Sequence, residues 1–172
     1  MSRTAAEVAP AGSAPGGASL ARVIAGAEAL GLTITPIRLD EGTRTAADAA
    51  RACGCEIDQI VKSIVFRVAD EERHVLFLTA GGNRVDPEAA AALVGAPLGK
   101  ADAAGVRTHT GFAIGGVSPI GHLRPIETWL DPRLLDFATV WAAAGTPRHV
   151  FSIDPRTLVA ALAPGVAEFT AR

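Results

Sequence analysis

Several quick assignments fail for want of the residues they need. No apolar run approaches the roughly 18 residues of a membrane-spanning helix, so no membrane partner is expected. The opening "MSRTAAEVAPAGSAPGGAS" lacks the continuous apolar core of a secretory leader, and a cytoplasmic location is expected. Cysteine is scarce. Cys53 and Cys55 form a lone Cys-x-Cys pair, whereas structural zinc takes four ligands. His74, His109, His122 and His149 show no ligand spacing, so neither metal nor cofactor is expected. The net charge of −2 carries no whole-chain signature of a nucleic-acid binder, and no DNA partner is expected. No internal period points to a repeat protein. A Walker loop, a G-x-G-x-x-G fingerprint and a G-x-S-x-G elbow are all missing, which removes the commonest nucleotide and serine-hydrolase readings.

What is present reads as one globular domain. The chain has 172 residues, 49% hydrophobic and 20% charged, enough to bury a core without staples. Residues 1–18, rich in Ala, Pro, Gly and Ser, are expected to be a disordered lead-in, leaving 19–172 as the domain. Helical spacing over Leu20–Leu30 ends at Gly31, and "LTITPIRL" predicts a strand closing near Leu39. "TAADAARAC" predicts a helix between an N-cap at Thr45 and a stop at Gly54. "IVKSIVFRVA" and "RHVLFLTA", separated by "DEE", predict a buried hairpin. Asp86, Pro87 and Gly95 bracket a further helix, and Asp154-Pro155 opens the last one. "IETWL", "FATVWAAA" and "HVFSI" predict short strands, with a turn or short helix at Asp131-Pro132, and "VAEF" a closing strand. Helices and strands do not alternate regularly. The expected fold is therefore mixed α/β: a curved, barrel-like mixed sheet with helices packed outside.

Two stretches do not read as scaffold. In "IVKSIVF" a period of two puts Lys62 on the face of Ile60, Ile64 and Phe66, where an ammonium is costly unless paired. The bland alternative is a lysine whose amine snorkels to solvent. In "GGVSPIGH", Gly115 and Gly116 permit positive φ or close approach, and Ser118-Pro119 presets a turn. Consecutive N–H groups in such a loop can converge on an anion, although a plain hairpin turn fits the spacing as well. Asp131, after the apolar "TWL", reads either as a functional acid at a strand end or as a cap before Pro132.

The lysine strand, an Ala-rich capped helix and "TGFAIGGVSPIGH", in that order, resemble the YbaK/prolyl-tRNA synthetase editing-domain family. The likeness runs from about Leu20 to Phe169 and includes "GAEALGLTITPIRL" and "LDPRLLDFATVWAAAG". It implies an aminoacyl-tRNA deacylase with Lys62 as the essential residue. Gly115, Gly116, Val117, Ser118 and Pro119 would form the loop around the aminoacyl group and terminal adenosine, with Gly116 to Ser118 offering oxyanion donors. Thr45 and Asp131 align more loosely as pocket residues. The implied substrate is the 3′ aminoacyl end of mischarged tRNA, with cysteine or alanine on tRNA for proline leading and serine and threonine open. The implied partner is prolyl-tRNA synthetase. The chain has no room for a synthetase core, so a free-standing editor is expected; the alternative is a non-catalytic module of the same fold that binds tRNA ends or nucleotides.

Overall fold

The computed structural model describes residues 17–171. In chain order the elements are α1 (Gly17–Ala29), β1 (Ile37–Arg38), α2 (Ala46–Cys53), a 3-10 turn (Ile57–Gln59), β2 (Ile60–Val68), β3 (His74–Ala80), β4 (Arg84–Val85) and α3 (Pro87–Val94). They continue with β5 (Leu98–Lys100), α4 (Ala103–Thr110), β6 (Glu127–Leu130), a second 3-10 turn (Pro132–Asp136), β7 (Val140–Ala143), β8 (His149–Ile153), α5 (Pro155–Leu162), β9 (Gly165–Val166) and β10 (Thr170–Ala171).

The expected hairpin forms the centre. β2 and β3 pair antiparallel from Val61↔Ala80 to Arg67↔His74. Every residue of β3 is buried, as a strand flanked by neighbours and covered on both faces must be. The sheet has eight strands in the order β1-β8-β7-β2-β3-β6-β9, with β5 added beside β2. β2–β7, β3–β6 and β6–β9 are parallel and the other pairs antiparallel, which makes the sheet mixed, as the irregular alternation of elements predicts. No ladder among the described residues joins β1 to β9, so closure into a barrel is not seen. β4 and β10 make a separate two-stranded ribbon.

Three helices begin and end where their caps dictate. Thr45 and Asp48 form a reciprocal capping box at α2, and Gly54 closes it in the left-handed conformation. Asp86 and Asp154 cap α3 and α5, each with Pro in the first turn. Elsewhere the structure departs from the expectations. The first 16 residues of the expected lead-in lie outside the described residues, while Gly17 and Ala18 already belong to α1. "LTITPIRL" yields only the two residues of β1, since Pro36 has no N–H to continue a ladder. β5 and α4 occupy the Gly- and Ala-rich stretch after Gly95, for which the sequence predicts no element; α4, poor in helix formers, starts on the Asp102 cap. "GGVSPIGH" is not a hairpin, because α4 precedes it and no strand flanks it closely. "VAEF" is replaced by β9 and β10 on either side of buried Phe169.

The main core packs α1 (Leu20, Val23, Ala27), β2 and β3 (Val61, Leu76, Leu78) and the loop residues Phe112, Val117 and Ile120. A second cluster joins α2 to Leu39, Ile60 and Val150, and a third joins α3 to Val68, Phe77 and Phe169. The cleft described next is lined by members of the first two clusters.

Candidate active site

Lys62 lies near the start of β2 and is half-buried. Its Nζ donates to the Asn83 carbonyl oxygen. Asn83 lies in the turn after β3, and two carboxylates fix that turn. Asp58 Oδ1 accepts from Gly82 N–H at 2.9 Å, and Asp131 Oδ2 accepts from Asn83 Nδ2 at 2.9 Å. Gly81 is required there because a Cβ would lie 2.2 Å from the Ile57 carbonyl oxygen. Burial lowers the Lys62 pKa from its ordinary 10.5, nearby Arg84 lowers it further, and Asp131 and Asp58 pull the other way. One carbonyl takes one of three ammonium donors, which leaves capacity for a ligand.

Beside Lys62 opens a cleft of about 570 Å³. Its walls include Leu39, Ile60, Ile64, Trp141 and Val150, with Arg44, Thr45, Thr146 and His149 as polar members. Gly115 and Val117 line it from the loop. Lys62, Thr45, Gly115 and Val117 thus meet at one cleft. Thr45 does so while capping α2, its Oγ1 accepting from Asp48 N–H at 3.1 Å.

Four other predicted site residues lie behind this surface. Gly116 is buried against the β7–β8 turn, and a Cβ on it would stand 2.8 Å from the Thr146 backbone. Its N–H already donates to the Ala113 carbonyl at 3.0 Å, so it is engaged rather than aimed at the cleft. Ser118 is fully buried, with its Oγ accepting from Ile120 N–H at 3.2 Å and its carbonyl accepting from His122 Nε2 at 2.6 Å. Pro119 is buried beside it. Asp131, 2% exposed, sits on the far side of β3. It accepts from Ala80 N–H at 3.1 Å and Arg133 N–H at 2.9 Å, capping the 3-10 turn as the bland reading has it. It also reaches Lys62 indirectly, through Asn83.

Some residues carry no recognisable signal in the sequence. Arg22 of α1 clamps the loop at both ends, with Nε donating to Gly121 O at 2.9 Å and a terminal nitrogen to Gly111 O at 2.7 Å. Its guanidinium also stacks 4.6 Å above the Phe112 ring. His149 Nδ1 and Thr146 Oγ1 share a 2.6 Å hydrogen bond at the cleft wall. Burial, then Arg38, lowers the His149 pKa, favouring the neutral imidazole. Asn83 is visible in the sequence only as the end of "GGN".

The comparisons agree with this architecture. The aminoacyl-tRNA editing domain family matches over residues 40–161. A solved structure described as a candidate trans-editing enzyme for prolyl-tRNA synthetase is 42% identical with a TM-score of 0.85, over 94% of this chain and 100% of that one. The hypothetical protein APE2540 is 28% identical with a TM-score of 0.80, over 87% of this chain and 99% of that one. The uncharacterized protein YwhH of Bacillus subtilis (strain 168) is 29% identical over 119 residues, 69% of this chain and 75% of its own.

Proposed function

Since the chain belongs to the aminoacyl-tRNA editing domain family, we propose that it hydrolyses the ester of mischarged aminoacyl-tRNA in trans, with cysteine or alanine on tRNA for proline as the substrates. The observation that carries this reading is the Lys62 ammonium, held by the Asn83 carbonyl at the wall of an apolar cleft. The cleft volume falls in the ~300–1,000 Å³ range of small-molecule sites and suits an aminoacylated nucleoside. The likeness to a candidate trans-editing enzyme over nearly the whole chain favours a free-standing editor.

The need for such an enzyme is physical. A synthetase pocket shaped for proline rejects smaller amino acids poorly, because a missing methylene is worth only about 1–3 kcal/mol. A second site must then remove the product. In hydrolysis, water adds to the acyl carbon, the bond to the ribose oxygen breaks, and that oxygen takes up a proton. Negative charge grows on the acyl oxygen, and the Lys62 ammonium is positioned to offset charge there or on the adjoining phosphate. Lys62 acts as a cation and not as the base. The ribose hydroxyl next to the ester takes part in the proton transfer, so the reaction needs no serine or cysteine triad. Arg44 at the cleft wall suits the terminal phosphate. Prolyl-tRNA synthetase is the proposed source of added tRNA selectivity, and co-purification with it in the presence of tRNA tests that partnership.

The deciding experiment uses tRNA for proline charged with alanine, cysteine, serine or proline, at substoichiometric protein. Multiple turnover on one or two wrong amino acids is expected, with Lys62→Ala lowering kcat/KM by about 10²–10³-fold while the fold and melting point are retained. Binding without turnover would move the function to a non-catalytic module, and a fully active Lys62→Ala would remove Lys62 from the site.

A further inference from the structure

We propose that a gap in the sheet beside β2 receives the aminoacyl group as a one-residue strand, its α-ammonium donating to the Ser63 carbonyl and its acyl oxygen accepting from Val65 N–H. This rests on the reading of the cleft as an aminoacyl-ester site.

On one edge β2 is paired with β3 along almost its whole length. On the other edge its pairing with β7 stops at Val61↔Ala142, and its pairing with β5 starts only at Phe66↔Lys100. Between them, on that edge, no strand among the described residues lies beside Lys62–Val65. Successive residues of a strand turn their peptide groups to opposite edges. Leu78 O accepts from Asp131 N–H at 2.9 Å and Ala80 N–H donates to the Asp131 carboxylate, so both face away from β2. Phe77 and Thr79 therefore face β2, where they oppose Ile64 and Lys62. The N–H and C=O of Ser63 and the N–H of Val65 must then point into the gap. No turn or loop backbone among the described residues bonds to them, and Ser63 and Ile64 line the cleft.

Unpaired edge groups are a template for another strand. Here β7 closes one end and β5 the other, so a peptide cannot lie along the gap. A single amino-acid unit can, and an aminoacyl ester carries the amine and the carbonyl that such a unit needs. Parallel pairing, continuing the sense of β7, puts the docked residue opposite Ile64. Its side chain then falls on the face of Ile60, Lys62 and Ile64, toward the apolar walls. Val65 N–H becomes an oxyanion donor as the acyl carbon turns tetrahedral. The hydrolysis is otherwise as written above. This assigns the oxyanion contact to β2, consistent with a Gly116 N–H that is already engaged.

The test replaces Val65 by its α-hydroxy-acid analogue, which deletes that N–H and keeps the side chain. The N–H faces the gap, so no ladder bond is lost, and kcat/KM on mischarged tRNA is expected to fall at least ~10-fold. In parallel, wild-type amide signals are followed by NMR as an amide-linked aminoacyl-adenosine is added. Val65 N–H should shift and gain exchange protection, and an α-hydroxyacyl analogue without the amine should bind at least ~10-fold more weakly. An unmoved Val65 N–H, with Lys62 and its neighbours responding, overturns the docking mode and leaves the ester-site reading intact. No response anywhere in the cleft overturns both. The NMR arm decides even if the ester variant fails to fold.

Discussion

Single side chains on and beside β2 show how differently buried polar groups are treated in this protein. Lys62 is half-buried but has a carbonyl to donate to, so its cost is partly offset and its charge is held in place. Ser63 is less well served: its Oγ is buried with no hydrogen-bond partner among the described residues. Removing an unsatisfied hydroxyl relieves its desolvation penalty, so Ser63→Ala should raise unfolding stability by up to about 1 kcal/mol. A denaturant titration measures this, and a clear loss would mean that a water satisfies the hydroxyl. Cys53 behaves as a small apolar residue. Burial, reinforced by the neighbouring Cys55, pushes its pKa up to about 12. It should therefore resist alkylation at neutral pH while the protein is folded and react on unfolding, as mass spectrometry of iodoacetamide-treated samples would record.

At the scale of elements, the site depends on two irregular segments and not on the strands alone. The turn carrying Asn83 is moored by Asp131, which also satisfies Ala80 N–H and caps the 3-10 turn. Asp131→Ala would orphan these donors together, with an expected cost of about 2–3 kcal/mol, since bonds to a charged acceptor are worth more than neutral ones. It should also lower kcat by freeing the Asn83 carbonyl. Chemical denaturation and kinetics run side by side separate the two effects, and unchanged activity in folded protein would show that Asn83 needs no mooring. The loop from Gly111 to Gly121 is held by Arg22 and pressed onto Thr146. The helices α2, α3 and α5 were legible in the sequence because a cap is a local signal within a few residues. This loop was legible only as unusual glycine and proline chemistry. Its conformation depends on Arg22, about 90 residues away in sequence. α4 was illegible for the opposite reason, since its composition argues against a helix that the Asp102 cap and tertiary packing nonetheless support.

For the molecule as a whole, the mixed α/β class followed from irregular alternation and one hairpin. The strand order did not, because nothing local announces that β7 will lie parallel beside the start of β2 and leave it after Val61. The cleft exists because of that departure, which is why Lys62 stands out in the sequence and Leu39, Trp141 and His149 do not. Burial also links the fold as a whole to pH. It is the main cause lowering the pKa of His74, His122 and His149 below the ordinary 6.5. Secondary influences differ: His109 and Arg67 lower His74 further while the Glu72 carbonyl and Asp102 oppose them. Arg22 lowers His122 against the Ser118 carbonyl, and Arg38 lowers His149. Below the unfolded-state pKa of about 6.5 the unfolded chain binds more protons than the folded one, so stability rises with pH there. The stabilisation from these neutral rings is present above that pH and is lost as pH falls toward the lowered folded values. Asp48, held below its usual 3.8 by hydrogen bonds, acts only in a more acidic window. Melting temperatures recorded from pH 8 to 5 should therefore be flat at first and then decline. His122→Gln, which keeps a donor for the Ser118 carbonyl but cannot charge, should shallow the decline. A decline identical in that variant would assign the acid sensitivity to other groups and leave His122 as a packing residue of the loop.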